Sequence, residues 1–180
     1  CGKPAAVVNR RLGHCELAPT PAHCAAVGAM LARAHLAARD YPLQQPNLRG
    51  LAWWNETAPV VLPHLDGAQA ALMRSELAYQ NHVAASSAYA ALPRGAVHAD
   101  LFRDNVMFDG PREAPRLTGF FDFYFAGVDS WLFDLGVALN DWAVDLTTGA
   151  TDAARTQAML DAYQSVRPLA SSERRLLPAM

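Results

Sequence analysis

The sequence predicts an α+β fold that is mainly helical and carries one short strand-rich segment near its middle. The 180 residues are 52% hydrophobic and 18% charged, which is enough apolar material for one sizeable core. On both sides of residues 96–125, apolar positions recur at helical spacing. Within that range they form short runs rich in β-branched and aromatic residues, a pattern that favours strands.

Two helices are predicted before that segment. The first begins after Thr20, whose hydroxyl suits an N-cap, and should end before the proline-containing residues 39–47. Residues 47–63 contain proline and tryptophan and are predicted as a loop. Asp66 can cap a second, long helix, which should run to about Leu92 because proline and glycine follow and stop it.

Short strands and further helices are predicted in the second half of the chain. The strands are expected at residues 96–101, 105–109 and 116–125, with an Asp-Gly turn after the second of them. Helices are then expected at about Phe133–Leu146 and, from a Thr151 cap, to about Val166. Ser171 or Ser172 can cap one more helix.

Composition argues against several kinds of partner. Lys and Arg total 15 against 17 Asp and Glu, so there is no basic excess to attract nucleic acid or an anionic membrane. The longest apolar stretch is broken by Arg33, well short of the ~20 residues that a membrane span needs. The three cysteines Cys1, Cys15 and Cys24 form no disulfide framework. A cytoplasmic protein in a reducing compartment is therefore expected.

A dense set of polar side chains lies inside the strand-rich segment, in the sequence GAVHADLFRDNVMFDG. His98 and Asp100 are followed by Asn105, and Asp122 stands at the end of the next apolar run. In kinases a loop aspartate orients or deprotonates the acceptor hydroxyl, an asparagine five residues later binds Mg²⁺, and a further aspartate joins the metal to the phosphates. Carboxylate and amide oxygens are hard ligands that suit Mg²⁺. The spacing therefore predicts a site for phosphoryl transfer.

These motifs resemble a known family. The strings HADLFRDNVMFDG, DFYFA, FDLG and NDW are similar to the catalytic core of the aminoglycoside phosphotransferase-like kinases, and within them to the homoserine kinase subfamily. APTPAHCAAVGAMLARAHLA and NLRGLAWW also fit that subfamily, so the similarity covers nearly the whole chain. The resemblance implies a protein-kinase-like fold with a small β-hairpin at the catalytic loop. It also implies ATP-dependent, Mg²⁺-dependent phosphorylation of the hydroxyl of L-homoserine, in a monomer or homodimer, for threonine synthesis.

Roles for single residues follow from the same resemblance. Asp100 resembles the catalytic base, and Asn105 and Asp122 resemble the Mg²⁺ ligands that complete the ATP site. His98 resembles the residue that braces the catalytic loop, and Asp134 the aspartate that anchors it. The residue types alone favour a structural role for His98 over direct chemistry, because phosphoryl transfer and Mg²⁺ binding do not need an imidazole.

The resemblance also implies how the chain divides. Residues 1–12 are expected to be the last strand of the kinase N-lobe and the hinge, and residues 13–180 the helical C-lobe, truncated at its C-terminus. No glycine-rich phosphate loop is found, and Lys3 is the only lysine. The N-lobe is therefore expected to be largely absent and the 180 residues inactive alone. Ala99 stands where protein kinases have arginine, which agrees with a small-molecule kinase.

Several alternatives stay open at this point. The acceptor could be another small amino alcohol or an aminoglycoside, or the chain could be a non-catalytic kinase-like module. A metallohydrolase cluster could be built from four residues, although Asn105 argues against it: His98, Asp100, Asp122 and Asp134. Two His-Cys pairs hint at zinc, but their spacing fits no standard site: His14-Cys15 and His23-Cys24. Three tryptophans could line a substrate pocket, with core packing expected for at least two: Trp53, Trp54 and Trp142.

Overall fold

The computed structural model describes Gly2, Ala5 and residues 7–180. Part of the expected strand and hinge at residues 1–12, together with Cys1 and Lys3, lies outside the described residues. No strand is assigned to residues 7–12. None of the helices in the described part of the chain is both long and apolar enough to cross a membrane.

The described residues form a mainly helical body. Its helices are α1 (Pro21–Ala37), α2 (Leu51–Val61), α3 (Gly67–Ala84), α4 (Ser87–Ala90), α5 (Trp131–Trp142), α6 (Ala153–Val166) and α7 (Ser171–Leu176). Thr20 stands at the N-cap of α1, and the Asp66 carboxylate caps α3 by accepting from the Gln69 amide at 2.8 Å, as the sequence predicts. The cap of α6 is Asp152 instead of Thr151, because the Asp152 carboxylate accepts from the Arg155 amide at 2.9 Å.

The prediction of a loop at residues 47–63 is wrong, because α2 forms within it. Pro59 lacks an N–H and removes one helical hydrogen bond, but it lies in the last turn, where the loss interrupts little of the helix. Trp54, Ala58 and Val61 recur at helical spacing and share an apolar groove with side chains of α3. Packing of this face against α3 therefore outweighs the local signal from proline.

The long helix predicted from Asp66 ends early, at Ala84. Ser86 is the cause, because its hydroxyl donates to the Val83 carbonyl at 2.7 Å and accepts from the Tyr89 amide at 3.2 Å. A serine that bonds the backbone in this way ends one helix and caps the next, α4. Helix α5 likewise starts at Trp131 and stops at Trp142, before the expected Leu146.

Two antiparallel strand pairs frame the polar segment. β1 (Arg94–Val97) pairs with β4 (Gly127–Ser130), and β2 (Val106–Asp109) pairs with β3 (Arg116–Phe120). The β2–β3 hairpin contains the predicted Asp-Gly turn, and Gly110 adopts the positive φ of 83° that glycine permits. The strand predicted at 116–125 ends at Phe120, and β4 was not predicted.

The core lies among α1, α5, α6 and the inner faces of the hairpins. Its fully buried side chains include Leu31, Leu101, Leu135, Trp142 and Tyr163. Helices α1 and α6 approach closely at Gly28, where a Cβ would lie 2.3 Å from the Met159 carbonyl oxygen. The loop between β1 and β2 enters this core through Leu101 and is thereby held by a rigid scaffold.

Candidate active site

A buried carboxylate fixes the start of the β1–β2 loop. Asp134, in the first turn of α5, is 0% exposed. Its Oδ2 accepts from the His98 amide at 2.8 Å and its Oδ1 accepts from the Ala99 amide at 2.8 Å, while His35 Nε2 lies 2.9 Å from Oδ2. Burial alone would raise the pKa of this carboxyl, but these hydrogen bonds outweigh it and lower the pKa. An ionised Asp134 therefore anchors the loop.

Two non-glycine residues at this site have a left-handed backbone. Ala99 has φ 63° and Asp122 has φ 65°, and they are the two such residues found in the described chain. This conformation costs of order 1–3 kcal/mol and persists only where the surroundings enforce it, a pattern that clusters at functional sites. At Ala99 the hydrogen bond to Asp134 supplies that enforcement. The turn at Ala99 directs the next residue, Asp100, out of the core.

Asn105 closes the loop on Asp100. Its Nδ2 donates to the Asp100 carbonyl at 2.8 Å and lies 3.4 Å from Asp100 Oδ2. Because the amide nitrogen is used inside the loop, the amide oxygen of Asn105 is the atom left to bind a cation. The oxygen of this buried amide fits the hard-ligand preference of Mg²⁺.

The charge of Asp122 acts on the Asp100 carboxyl. Partial burial raises the pKa of the Asp100 carboxyl. The negative charges of Asp122 and Asp104 also raise this pKa, while His98 opposes them. Charge effects of this kind fall off with distance, so Asp122 belongs to the charged groups that surround Asp100.

His98 ties the loop to the segment that follows β3 and carries Asp122. The His98 ring donates from Nε2 to the Phe121 carbonyl at 2.9 Å, and the Phe121 amide donates to the Asn105 carbonyl at 3.1 Å. The ring also lies 4.8 Å from the Phe123 ring, between centroids. His98 therefore links the loop to the residues on both sides of Asp122.

A second carboxylate, which the sequence reasoning did not single out, holds the far half of the loop. Asp141, in the NDW string, accepts from the Arg103 amide at 2.7 Å and lies 3.3 Å from Arg103 Nε. Arg103 is itself buried and donates to the Leu17 carbonyl at 2.9 Å. The loop is thus fixed at both ends by aspartates of α5. The sequence signal that could have identified Asp141 is its spacing of seven residues from Asp134. This spacing is about two helical turns and places both side chains on one face of α5.

The alternative metal sites find no support in the geometry. Among the residues that the structure describes, no three His, Cys, Asp or Glu side chains are grouped to hold a metal. Asp134 is fully occupied by its own hydrogen bonds, which removes it from a metallohydrolase cluster. The two His-Cys pairs make structural contacts instead. His23 Nδ1 lies 2.8 Å from the Thr20 hydroxyl, and the buried Cys24 thiol contacts the Trp142 carbonyl. The His14 amide donates to the Phe108 carbonyl at 2.9 Å, and the Cys15 thiol donates to the Asp104 carbonyl at 3.1 Å.

A cavity of about 440 Å³ opens beside Asp100, within the size range of ligand pockets. Trp53 and Trp54 of α2 line it, together with Phe102 of the loop, Phe125, which precedes β4, and Phe133 of α5. Trp142 instead packs in the core and donates from Nε1 to the Leu101 carbonyl at 2.9 Å. The expectation of core packing for at least two of the three tryptophans is therefore wrong.

Solved structures share this fold. An aminoglycoside-3'-phosphotransferase of type VIII superposes with a TM-score of 0.61 at 20% identity, covering 94% of this chain and 66% of the other. An amicoumacin kinase in complex with AMP-PNP, Ca²⁺ and Ami superposes with a TM-score of 0.64 at 15% identity, covering 97% of this chain and 51% of the other. The kinase-like fold that the motifs implied is confirmed.

Curated relatives are much closer in sequence. Homoserine kinase of Polaromonas naphthalenivorans (strain CJ2) is 66% identical over 99% of this chain and 55% of the relative. Homoserine kinase of Paraburkholderia xenovorans (strain LB400) is 62% identical over 97% of this chain and 54% of the relative. The chain spans about half the length of the curated relatives it matches. The family model of the phosphotransferase enzymes matches residues 1–169, a range that includes the β1–β2 loop, Asp134 and Asp141. The chain therefore belongs to the phosphotransferase enzyme family.

Proposed function

We propose that the natural protein carrying this chain is a homoserine kinase, which transfers the γ-phosphoryl group of ATP to the side-chain hydroxyl of L-homoserine. The identities of 66% and 62% to homoserine kinases support the acceptor. The observation that carries the proposal is the loop anchored by Asp134, which presents Asp100 to a cavity of about 440 Å³.

Asp100 acts as the base in this mechanism. Its carboxylate accepts a hydrogen bond from the homoserine hydroxyl and takes the proton as the new O–P bond forms and the bond from the γ-phosphorus to ADP breaks. The pKa of Asp100 is raised towards neutral pH, and a carboxylate with a higher pKa is a better proton acceptor. Asn105 keeps Asp100 in place through its hydrogen bond to the Asp100 carbonyl.

Asn105 and Asp122 are the residues that would hold Mg²⁺. When bound, the ion neutralises charge on the ATP phosphates and orients them. Asp134, His98 and their hydrogen bonds keep the base and these two ligands in register, which matters because phosphoryl transfer depends mainly on alignment and charge stabilisation.

The test is a panel of acceptors with the full-length natural protein. ADP release and phosphorylated product are measured with Mg·ATP and L-homoserine, L-serine, 3-aminopropan-1-ol, choline or an aminoglycoside. We expect L-homoserine to give the highest kcat/KM and O-phospho-L-homoserine as product. Preferred phosphorylation of an amino alcohol or an aminoglycoside would contradict the proposed acceptor, and absence of any product would contradict the kinase.

A further inference from the structure

The guanidinium of Arg49 lines the cavity beside Asp100 and stacks on two aromatic rings. It lies just before the N-cap of α2, in the segment NLRG. Its Cζ is 4.5 Å from the centroid of the Trp53 ring and 4.5 Å from that of the Phe125 ring. A guanidinium between two aromatic rings is held by its faces, while its N–H edges stay directed outward for acceptors in its plane.

Among the residues that the structure describes, no carboxylate forms an ion pair with Arg49. The nearby carboxylate of Asp129 already accepts from Arg94 Nη1 at 2.9 Å and from Asn47 Nδ2 at 2.8 Å. A cation that lines a cavity without an internal partner favours an anionic ligand.

The segment that carries Arg49 is rigidly placed. The Val128 amide of β4 donates to the Gln45 carbonyl at 2.6 Å, and the Arg49 amide donates to Asn47 Oδ1 at 2.9 Å. Gly50 follows, where a Cβ would meet Asp129 Oδ2 at 3.2 Å. Because these contacts fix the backbone, the guanidinium is pre-organised and a ligand loses little entropy in engaging it.

The cavity has two charged side chains among its described lining residues, Arg49 and Asp100. Most of the remaining lining is aromatic or aliphatic. Such a cavity suits a small ligand with an anionic group at one end and a hydroxyl at the other. A polycationic aminoglycoside or a quaternary amino alcohol would instead place positive charge near an unneutralised guanidinium.

We propose that Arg49 binds the carboxylate of the acceptor through paired N–H···O bonds and thereby turns the acceptor hydroxyl towards Asp100. This inference rests on the proposed function and assigns its acceptor class, which is a hydroxy amino acid. Arg49 is a specificity-determining residue here. The planar fork of arginine matches a carboxylate in a way that the point charge of lysine does not.

The experiment compares L-homoserine with 3-aminopropan-1-ol, which is the same molecule without the carboxylate, in the full-length natural protein. Wild type, Arg49→Gln and Arg49→Lys are assayed, with Arg74→Gln on the exposed face of α3 as the matched control. For Arg49→Gln we expect KM for homoserine to rise about 10²-fold, with activity on 3-aminopropan-1-ol and KM for ATP unchanged. The KM of Arg49→Lys for homoserine should lie between those of wild type and Arg49→Gln, and the KM of Arg74→Gln should match that of wild type.

Two results would overturn the inference about Arg49 alone. One is a KM for homoserine that is the same in Arg49→Gln as in an active wild type. The other is an equal loss on both acceptors in folded Arg49→Gln and Arg49→Lys, which would indicate a structural role. Failure of wild type to phosphorylate homoserine at all would instead overturn the proposed function. Thermal unfolding of each variant establishes that the proteins compared are folded.

Discussion

His35 Nε2 lies 2.9 Å from Asp134 Oδ2 in the interior, where His35 is 1% and Asp134 0% exposed. On its other side His35 Nδ1 lies 2.8 Å from the Tyr163 hydroxyl, which accepts from Arg167 Nε at 2.8 Å. Because the Tyr163 hydroxyl accepts from Arg167, its own proton is free to be donated to His35 Nδ1. The ring proton of His35 is therefore assigned to Nε2, which donates to Asp134. Arg167 continues the chain to the buried Glu173 of α7. The anchor of the catalytic loop is therefore supported by a polar chain that crosses the core.

Replacing His35 should destabilise the fold. His35→Ala leaves the buried Asp134 carboxylate and the Tyr163 hydroxyl without a shared partner and opens a cavity, so we expect the free energy of unfolding to fall by about 2–4 kcal/mol. Urea denaturation of the full-length protein measures this. His82→Ala, on an exposed part of α3, is the control and should change stability by less than about 0.5 kcal/mol. A loss no larger for His35→Ala than for the control would contradict the support role.

Acid should remove the contribution of Asp134. Its pKa is lowered in the folded state, so its ionised form stabilises the fold above the unfolded-state pKa of about 3.9, and this stabilisation is lost as pH falls through the folded pKa. The stability difference between wild type and Asp134→Asn should stay constant from neutral pH to about pH 5 and shrink below about pH 4. Denaturation curves over this range measure it, and a difference that grows in acid would contradict the lowered pKa.

Asp104 should tune the base. Its exposed carboxylate raises the pKa of Asp100, so Asp104→Asn should lower that pKa and move the acid limb of the kcat/KM profile to lower pH. The exposed Asp161 of α6 offers a matched control, because Asp161→Asn removes the same charge but Asp161 is not among the charges that shift the pKa of Asp100. The shift should weaken as salt is added. An acid limb that moves to higher pH, or that moves equally in both variants, would count against this coupling.

Local chemistry made the caps of α1 and α3, the Asp-Gly turn and the polar loop predictable from sequence. The Asp66 carboxylate accepts from a backbone amide within its own turn, Thr20 stands at the N-cap of α1, and His98, Asp100 and Asn105 share one loop. Helix α2 was missed because its apolar face is defined by packing on α3, which overrides the proline signal.

Long-range pairings lay beyond the reach of local patterns. His35 and Asp134 are 99 positions apart, and β1 pairs with β4 across the intervening β2–β3 hairpin. Arg49 was seen only as part of the string NLRGLAWW, without a role. Its placement at the cavity depends on Phe125 and on β4, which follow it by more than 70 residues in the chain.

The central claim is that Asp100 accepts the proton of the acceptor hydroxyl on the loop anchored by Asp134. The most direct measurement is the turnover of L-homoserine with Mg·ATP by the full-length protein and by Asp100→Asn, with Asp161→Asn as the surface control. We expect kcat to fall by about 10² to 10⁴ in Asp100→Asn, with ATP binding little changed and the control unaffected. Wild-type turnover by folded Asp100→Asn would contradict the account.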